Sequence, residues 1–105
     1  MLGRRLPIVN NKIPLPSEFQ PGDYCGPITG YSGDKPSLFF RLPIANDLDC
    51  PPECVGLHHI EFPPHDFKEE EDGSLTIIGS IGSFNQPDGN YAWHDFLESG
   101  IWRQV

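Results

Sequence analysis

The amino-acid sequence predicts a small, mainly β fold, and three features lead to this prediction. The chain has 105 residues, which is the size of one small domain. It contains 12 prolines and 11 glycines, and long helices are disfavoured because each interior proline costs a helix about 3 kcal/mol. Its apolar segments are short and separated by turn-forming residues. We therefore expect a single antiparallel β domain, a sheet or sandwich, with long Pro/Gly-rich loops.

The predicted strands follow from alternating apolar and polar positions. In the first of them, Leu38, Phe40 and Leu42 alternate with Phe39 and Arg41, which gives the strand one apolar face. The predicted strands are residues 37–44, 56–62, 74–84, 91–97 and 101–105. Residues 1–15 are predicted to form an extended arm, residues 16–105 the domain, and residues 63–73 a surface loop with an acidic run. Phe39, Phe40, Trp93 and Trp102 are interpreted as core residues.

Charge limits the possible partners. The formal net charge is −8, and Lys and Arg together number only 7. Binding to nucleic acid and to anionic membranes relies on Lys and Arg, so neither partner is expected, whereas a protein with a basic surface is plausible. The chain has no apolar run of the roughly 18 residues that a transmembrane helix needs, and its N-terminus lacks the apolar stretch of a signal peptide. We expect a cytoplasmic protein.

The segment "CPPECVGLHHIEF" (50–62) contains the pattern that points most clearly to chemistry. Zinc in proteins prefers four ligands, mostly Cys thiolates and His imidazoles. Cys50 and Cys54 are close enough in sequence to bind one ion from a tight turn, which Pro51 and Pro52 would stiffen. A single C-x3-C pair is also compatible with two small buried side chains that bind no metal.

Two adjacent histidines follow this pair. His58 and His59 must point to opposite faces of the predicted strand, so only one of them can bind the same ion. We prefer His58 because it shares its face with Ile60 and Phe62, and we keep His59 as the alternative.

The fourth ligand would have to come from a distant strand. His94 is the best candidate because it alternates with the core-like residues Ala92 and Phe96, whereas His65 and Cys25 are weaker candidates. The alternative of a cysteine nucleophile paired with a histidine is less favoured, because no helix N-terminus or basic surroundings would lower the thiol pKa.

Several segments together give the chain a family resemblance. "PSEFQPGDY", the cysteine-containing turn, "SLTIIGSIGSF" and "YAWHDFLESGIWRQV" resemble a family of small bacterial and phage proteins. The genes of that family often lie beside bacterial ubiquitin-like modification operons, which encode multi-ubiquitin proteins and adenylating enzymes. The resemblance covers residues 15–105 as a pattern, and its most specific part is "WHDFLESGIW".

The resemblance implies zinc ligands at Cys50, Cys54 and His94. This sequence departs from the family pattern in having C-x3-C in place of a tighter turn, Trp93 before the histidine where relatives have Cys or Ser, and Gly79 where proline is common. His58 or His59 could replace the missing cysteine ligand.

We therefore predict that the β domain contains a Cys/His zinc knuckle with one structural Zn²⁺, and that the chain is an accessory or interaction protein in a bacterial ubiquitin-like modification or antiphage-defence system. The sequence favours a non-enzymatic role. One alternative is a zinc-dependent hydrolase with an open metal position and with Glu61 or Asp95 as general base. The other is a phage-encoded acidic inhibitor of a host protein.

Overall fold

A computed structural model describes residues 1–43, 57–83 and 93–105. These residues form three small antiparallel sheets, with strand orders β1-β2-β3, β4-β5 and β6-β7-β8. The prediction of a mainly β, antiparallel domain is confirmed. The strands are β1 (Tyr24–Ser32), β2 (Lys35–Arg41), β3 (Leu57–Glu61), β4 (Asp66–Glu69), β5 (Leu75–Ile78), β6 (Ile81–Ser83), β7 (Trp93–Glu98) and β8 (Ile101–Gln104). Within the described ranges, the helical structure is a short 3-10 turn at Pro16–Glu18, and no helix there is long and apolar enough to cross a membrane.

The first sheet contains a strand that the sequence did not predict. β1 pairs with β2 through Tyr24 opposite Phe40, and its register shifts between Cys25 and Ile28. Gly26 lies within this irregular part at a φ of 138°. The glycine and the register shift interrupt the apolar alternation, so the strand has no regular period-two pattern.

The second sheet corrects the prediction that residues 63–73 form a loop throughout. Residues Asp66–Glu69 form β4, which pairs with β5. Leu75 and Ile77 are buried on β5, and Phe67 of β4 packs against Phe62 with the ring centroids 4.8 Å apart. The sequence analysis missed β4 because three of its four residues are charged, so the segment shows no alternation of apolar and polar positions.

The predicted strand 74–84 is divided into β5 and β6. The two strands belong to different sheets, and Gly79, with a φ of 93°, lies at the break. A left-handed backbone at this position redirects the chain, and glycine adopts it at little cost. The sequence analysis placed Gly79 inside one continuous strand, and the structure shows a break between two strands there.

The core lies between the three sheets. Its buried members are Tyr24, Leu38, Phe40, Leu42, Phe62, Leu75, Ile77, Ile81, Leu97 and Trp102. The rings of Phe40 and Trp102, with centroids 5.5 Å apart, connect the first sheet to the third. The core assignment is confirmed for Phe40 and Trp102, whereas Phe39 lies on the other face of β2, where it contacts Tyr31 with a centroid distance of 5.2 Å. The side chain of Trp93 lies outside the described part of the chain.

Residues 1–6 run between the first and third sheets. The amide of Trp102 donates to the oxygen of Met1 at 2.8 Å, and the amide of Leu6 donates to the oxygen of Tyr24 at 2.8 Å. The side chain of Arg4 forms an ion pair with the buried Asp23 at 2.7 Å. These contacts attach the segment to both β8 and β1.

Candidate metal centre

The two predicted cysteine ligands, Cys50 and Cys54, lie outside the described residues. Of the predicted ligands, the structure therefore describes the histidines. His58 and His59 are on β3 of the first sheet, whereas His94 is on β7 of the third sheet.

His58 and His59 lie on opposite faces of β3, as their alternation predicts. His58 is opposite Phe40, half-buried, with a ring centroid 6.1 Å from that of Phe40. His59 is opposite Phe39 and exposed, with a centroid distance of 5.6 Å. Because Phe40 belongs to the core and Phe39 does not, His58 is the histidine on the inner side of this sheet.

The face assigned to His94 is corrected by the structure. The sequence analysis grouped His94 with Phe96 on a core-like face, but the buried residues of β7 are Asp95 and Leu97. His94 and Phe96 are half-buried on the opposite face. The alternation of β7 was predicted correctly, and its inner and outer faces were exchanged. Trp102 of β8 lies opposite Leu97 and packs onto the core, so packing across the sheet determines which face is inward.

Ser80 lies between two histidines, an arrangement that the sequence analysis missed. The Nε2 atom of His94 is 2.7 Å from the hydroxyl oxygen of Ser80. The Nε2 atom of His65 is 3.2 Å from the backbone oxygen of the same serine, and His65 must donate this bond because a carbonyl oxygen only accepts. The one sequence signal at this position is Gly79, which precedes Ser80 at the end of β5.

The contact with Ser80 restricts how His94 could bind a metal. Histidine ligands usually bind the ion through one ring nitrogen, while the other is oriented by a hydrogen bond. The Nε2 atom of His94 already has such a hydrogen-bond partner in Ser80. Across residues 1–43, 57–83 and 93–105, no group of three or more His, Cys, Asp or Glu side chains is arranged to hold a metal ion.

The two acidic residues considered as general bases are on β3 and β7, the strands that carry the candidate histidines. Glu61 alternates with His58 and Ile60 on β3 and pairs with Lys35 at 3.8 Å. Asp95 is buried on the inner face of β7, and burial raises the pKa of its carboxyl. Glu61 shares its face of β3 with His59 and not with His58, and Asp95 lies on the face of β7 opposite to that of His94.

Cys25 is fully buried in β1, opposite Phe39. Burial raises the pKa of its thiol. Because the thiolate is the reactive form, a thiol with a raised pKa is a poor nucleophile at neutral pH. The environment of Cys25 therefore favours a packing role.

The acidic run is located at the β4–β5 hairpin. Glu69, Glu70, Glu71 and Asp72, together with Lys68 and Ser99, line a shallow depression of about 410 Å³. Several of these acidic groups have local partners. Glu69 pairs with Arg5, and Asp72 accepts hydrogen bonds from the amide and the hydroxyl of Ser74 at 3.0 and 2.6 Å. The hairpin thus presents negative charge on an ordered turn.

No protein-family profile matches this chain, and no curated protein or solved structure matches it either.

Proposed function

We propose that this protein is a small accessory protein that binds another protein, and that one structural zinc ion completes its fold. The proposed ligands are Cys50, Cys54 and His58; His94, on the outer face of β7, is the sequence-based candidate for the fourth position. The supporting observation is the position of His58 at the beginning of β3, half-buried and on the side of the core. His59, which follows it, points to the other face and is not a proposed ligand.

The position of His58 suits a ligand that follows a cysteine turn. His58 is four residues after Cys54 and eight after Cys50. Its ring lies at 26° to the ring of Phe40, so the imidazole is already oriented by the core. An ion bound there would attach the preceding segment to the inner side of the first sheet.

A site with four protein ligands has a structural role, because it leaves no open position for a water molecule. Metal binding of this kind contributes directly to the free energy of folding. A chain of 105 residues has a small core, and domains of this size benefit from such additional stabilisation.

The proposed partner is a protein with a basic surface. The net charge of −8 and the acidic β4–β5 hairpin support this choice, since opposite charges speed association and orient the partner. The family resemblance described above suggests a component of a bacterial ubiquitin-like modification or antiphage-defence system as this partner.

The zinc proposal is tested by elemental analysis of the purified chain, combined with thermal unfolding before and after chelation. We expect one zinc per chain in the wild type, a lower melting temperature after chelation, and recovery when zinc is added back. Cys50→Ser and Cys54→Ser should each lose the metal. A wild type that stays metal-free even after zinc is added, or cysteine variants that retain full occupancy, would overturn the proposal.

A further inference from the structure

The outer face of the β6–β7–β8 sheet has an unusual combination of side chains. Leu2 forms an antiparallel bridge with Ile101 of β8, so the N-terminal segment extends this sheet by one strand position. Ile101 is opposite Glu98, and Arg103 is opposite Phe96. Leu97 and Trp102 alternate with these residues and are buried on the inner face.

This outer face combines the apolar residues Leu2, Phe96 and Ile101 with His94 and with the ion pair of Glu98 and Arg103. Leu2 is 73% exposed and Ile101 is 50% exposed, and the two residues are neighbours across an isolated bridge. Phe96 is half-buried beneath the guanidinium of Arg103, which lies 5.1 Å from the ring centroid. An antiparallel sheet with one face on the core normally carries polar residues on the other. Adjacent exposed apolar side chains on such a face indicate a contact surface.

The charges on the same face indicate which partner fits. Arg103 and Glu98 form an ion pair at 2.6 Å, and their side chains are 61% and 51% exposed. The face therefore carries one charge of each sign and is locally neutral, although the whole chain has a net charge of −8. A basic partner would place its cations against Arg103. A second copy carries both charges, and about a twofold axis that runs diagonally across the strands it would place a glutamate opposite Arg103 and an arginine opposite Glu98.

We propose that this face mediates a weak homodimer with twofold symmetry. Two copies would pack sheet against sheet, with Leu2 and Ile101 of each copy at the centre and the Arg103–Glu98 pairs at the rim. A twofold interface of this kind uses the same surface on both subunits and therefore has to be self-complementary. Two sheets packed face to face are separated by about 10 Å, a distance that apolar side chains fill.

The proposed dimer has a characteristic dependence on salt. Each subunit has a net charge of −8, so the subunits repel each other over a distance that salt shortens from about 14 Å to about 4 Å between 0.05 M and 0.5 M. Since the contact itself is apolar and locally neutral, added salt should strengthen dimerisation. Binding of a basic partner should weaken under the same change, so the two interactions can be distinguished.

Sedimentation equilibrium of the full chain, over a range of protein concentrations at these two salt levels, tests the proposal. We expect a monomer–dimer equilibrium with a larger association constant at the higher salt. Ile101→Glu should lower that constant by about tenfold or more, which corresponds to about 1.4 kcal/mol. Ile78→Glu is a matched control, because Ile78 is 55% exposed and lies on β5 of another sheet, and it adds the same charge.

Leu2→Glu is a second variant in case Ile101→Glu does not fold, and it should have the same effect. A wild type that remains monomeric at every concentration and salt level would overturn the proposal. Equal weakening by Ile101→Glu and Ile78→Glu would also overturn it, because added charge alone would then explain the loss.

Discussion

The indole Nε1–H of Trp102 donates a hydrogen bond of 2.7 Å to the backbone oxygen of Gly22, a residue 80 positions earlier in the chain. Both residues are buried. Because Trp102 also packs against Phe40 of the first sheet, a single side chain joins β8, β2 and the turn before β1.

Replacing this side chain by a smaller aromatic ring tests its contribution. Trp102→Phe retains an aromatic ring and removes the donor, so the Gly22 oxygen loses this partner. Leaving a buried acceptor without its partner costs about 1–3 kcal/mol, and the volume lost with the larger ring system adds a cavity cost. We expect the free energy of unfolding in urea to fall by at least 1 kcal/mol. A loss of less than about 0.5 kcal/mol would show that the packing relaxes and that the bond contributes little.

The close approach of Gly26 to β2 gives a second prediction. Gly26 has a φ of 138°, and a Cβ atom added there would lie 2.7 Å from the backbone oxygen of Ser37. Gly26→Ala should therefore be clearly more destabilising than Gly33→Ala. Gly33 also has a positive φ, of 67°, but no heavy atom lies within 4 Å of its added Cβ.

Gly33→Ala measures the cost of a left-handed backbone alone, whereas Gly26→Ala adds a steric overlap and a φ of 138° that residues with a Cβ atom rarely adopt. Gly33→Ala should cost about 1–2 kcal/mol, the usual cost of a left-handed backbone for a residue with a Cβ atom. Gly26→Ala should cost about 1–3 kcal/mol more, because β1 and β2 must move apart. Urea unfolding curves of both variants measure this difference, and equal losses would contradict the close packing of the two strands.

The turn between β4 and β5 gives a prediction about pH. Hydrogen bonds from the hydroxyl and amide of Ser74 hold the pKa of Asp72 below its ordinary value of 3.8. The ionised carboxylate therefore stabilises the folded state above that pH, and this contribution is lost as the pH falls through the lowered pKa.

Ser74→Ala should raise the pKa of Asp72 toward its ordinary value, because the hydroxyl donor is removed while the amide donor stays. An NMR titration of the Asp72 carboxyl carbon in the wild type and the variant measures this change. Thr76→Val is a suitable control, since the hydroxyl of Thr76 donates to Glu70 at 2.8 Å and not to Asp72. An unchanged titration of Asp72 in Ser74→Ala would be inconsistent with this turn geometry.

The sequence predicted β2, β3 and β8 well because each has a clear alternation or a short apolar run. It missed β1 because Gly26 and a register shift interrupt that strand. It also missed β4, whose residues are mostly charged and exposed. In both cases pairing with a neighbouring strand determines the structure, and a pattern within one segment does not reveal such pairing.

For the candidate site, the sequence predicted which side chains alternate along a strand, but not in every case which face of the strand is buried. Alternation on β3 was sufficient to place His58 and His59 on opposite faces, and the apolar Ile60 and Phe62 on the face of His58 indicated the inner one; the contact of His58 with Phe40 agrees. Alternation on β7 did not indicate which face is inward, because Asp95 is buried although it is acidic. The contact between His94 and Ser80 depends on how two separate strands meet, and this information is absent from local sequence.

The zinc content of His58→Ala compared with that of His59→Ala tests the central claim most directly. The two residues are adjacent on β3 and differ in the face that they occupy, so the pair controls for general effects of losing a histidine from this strand. After purification with added zinc, we predict that His59→Ala retains one zinc per chain and that His58→Ala loses it or binds it far more weakly. Full zinc occupancy in His58→Ala, or loss in His59→Ala alone, would contradict the account.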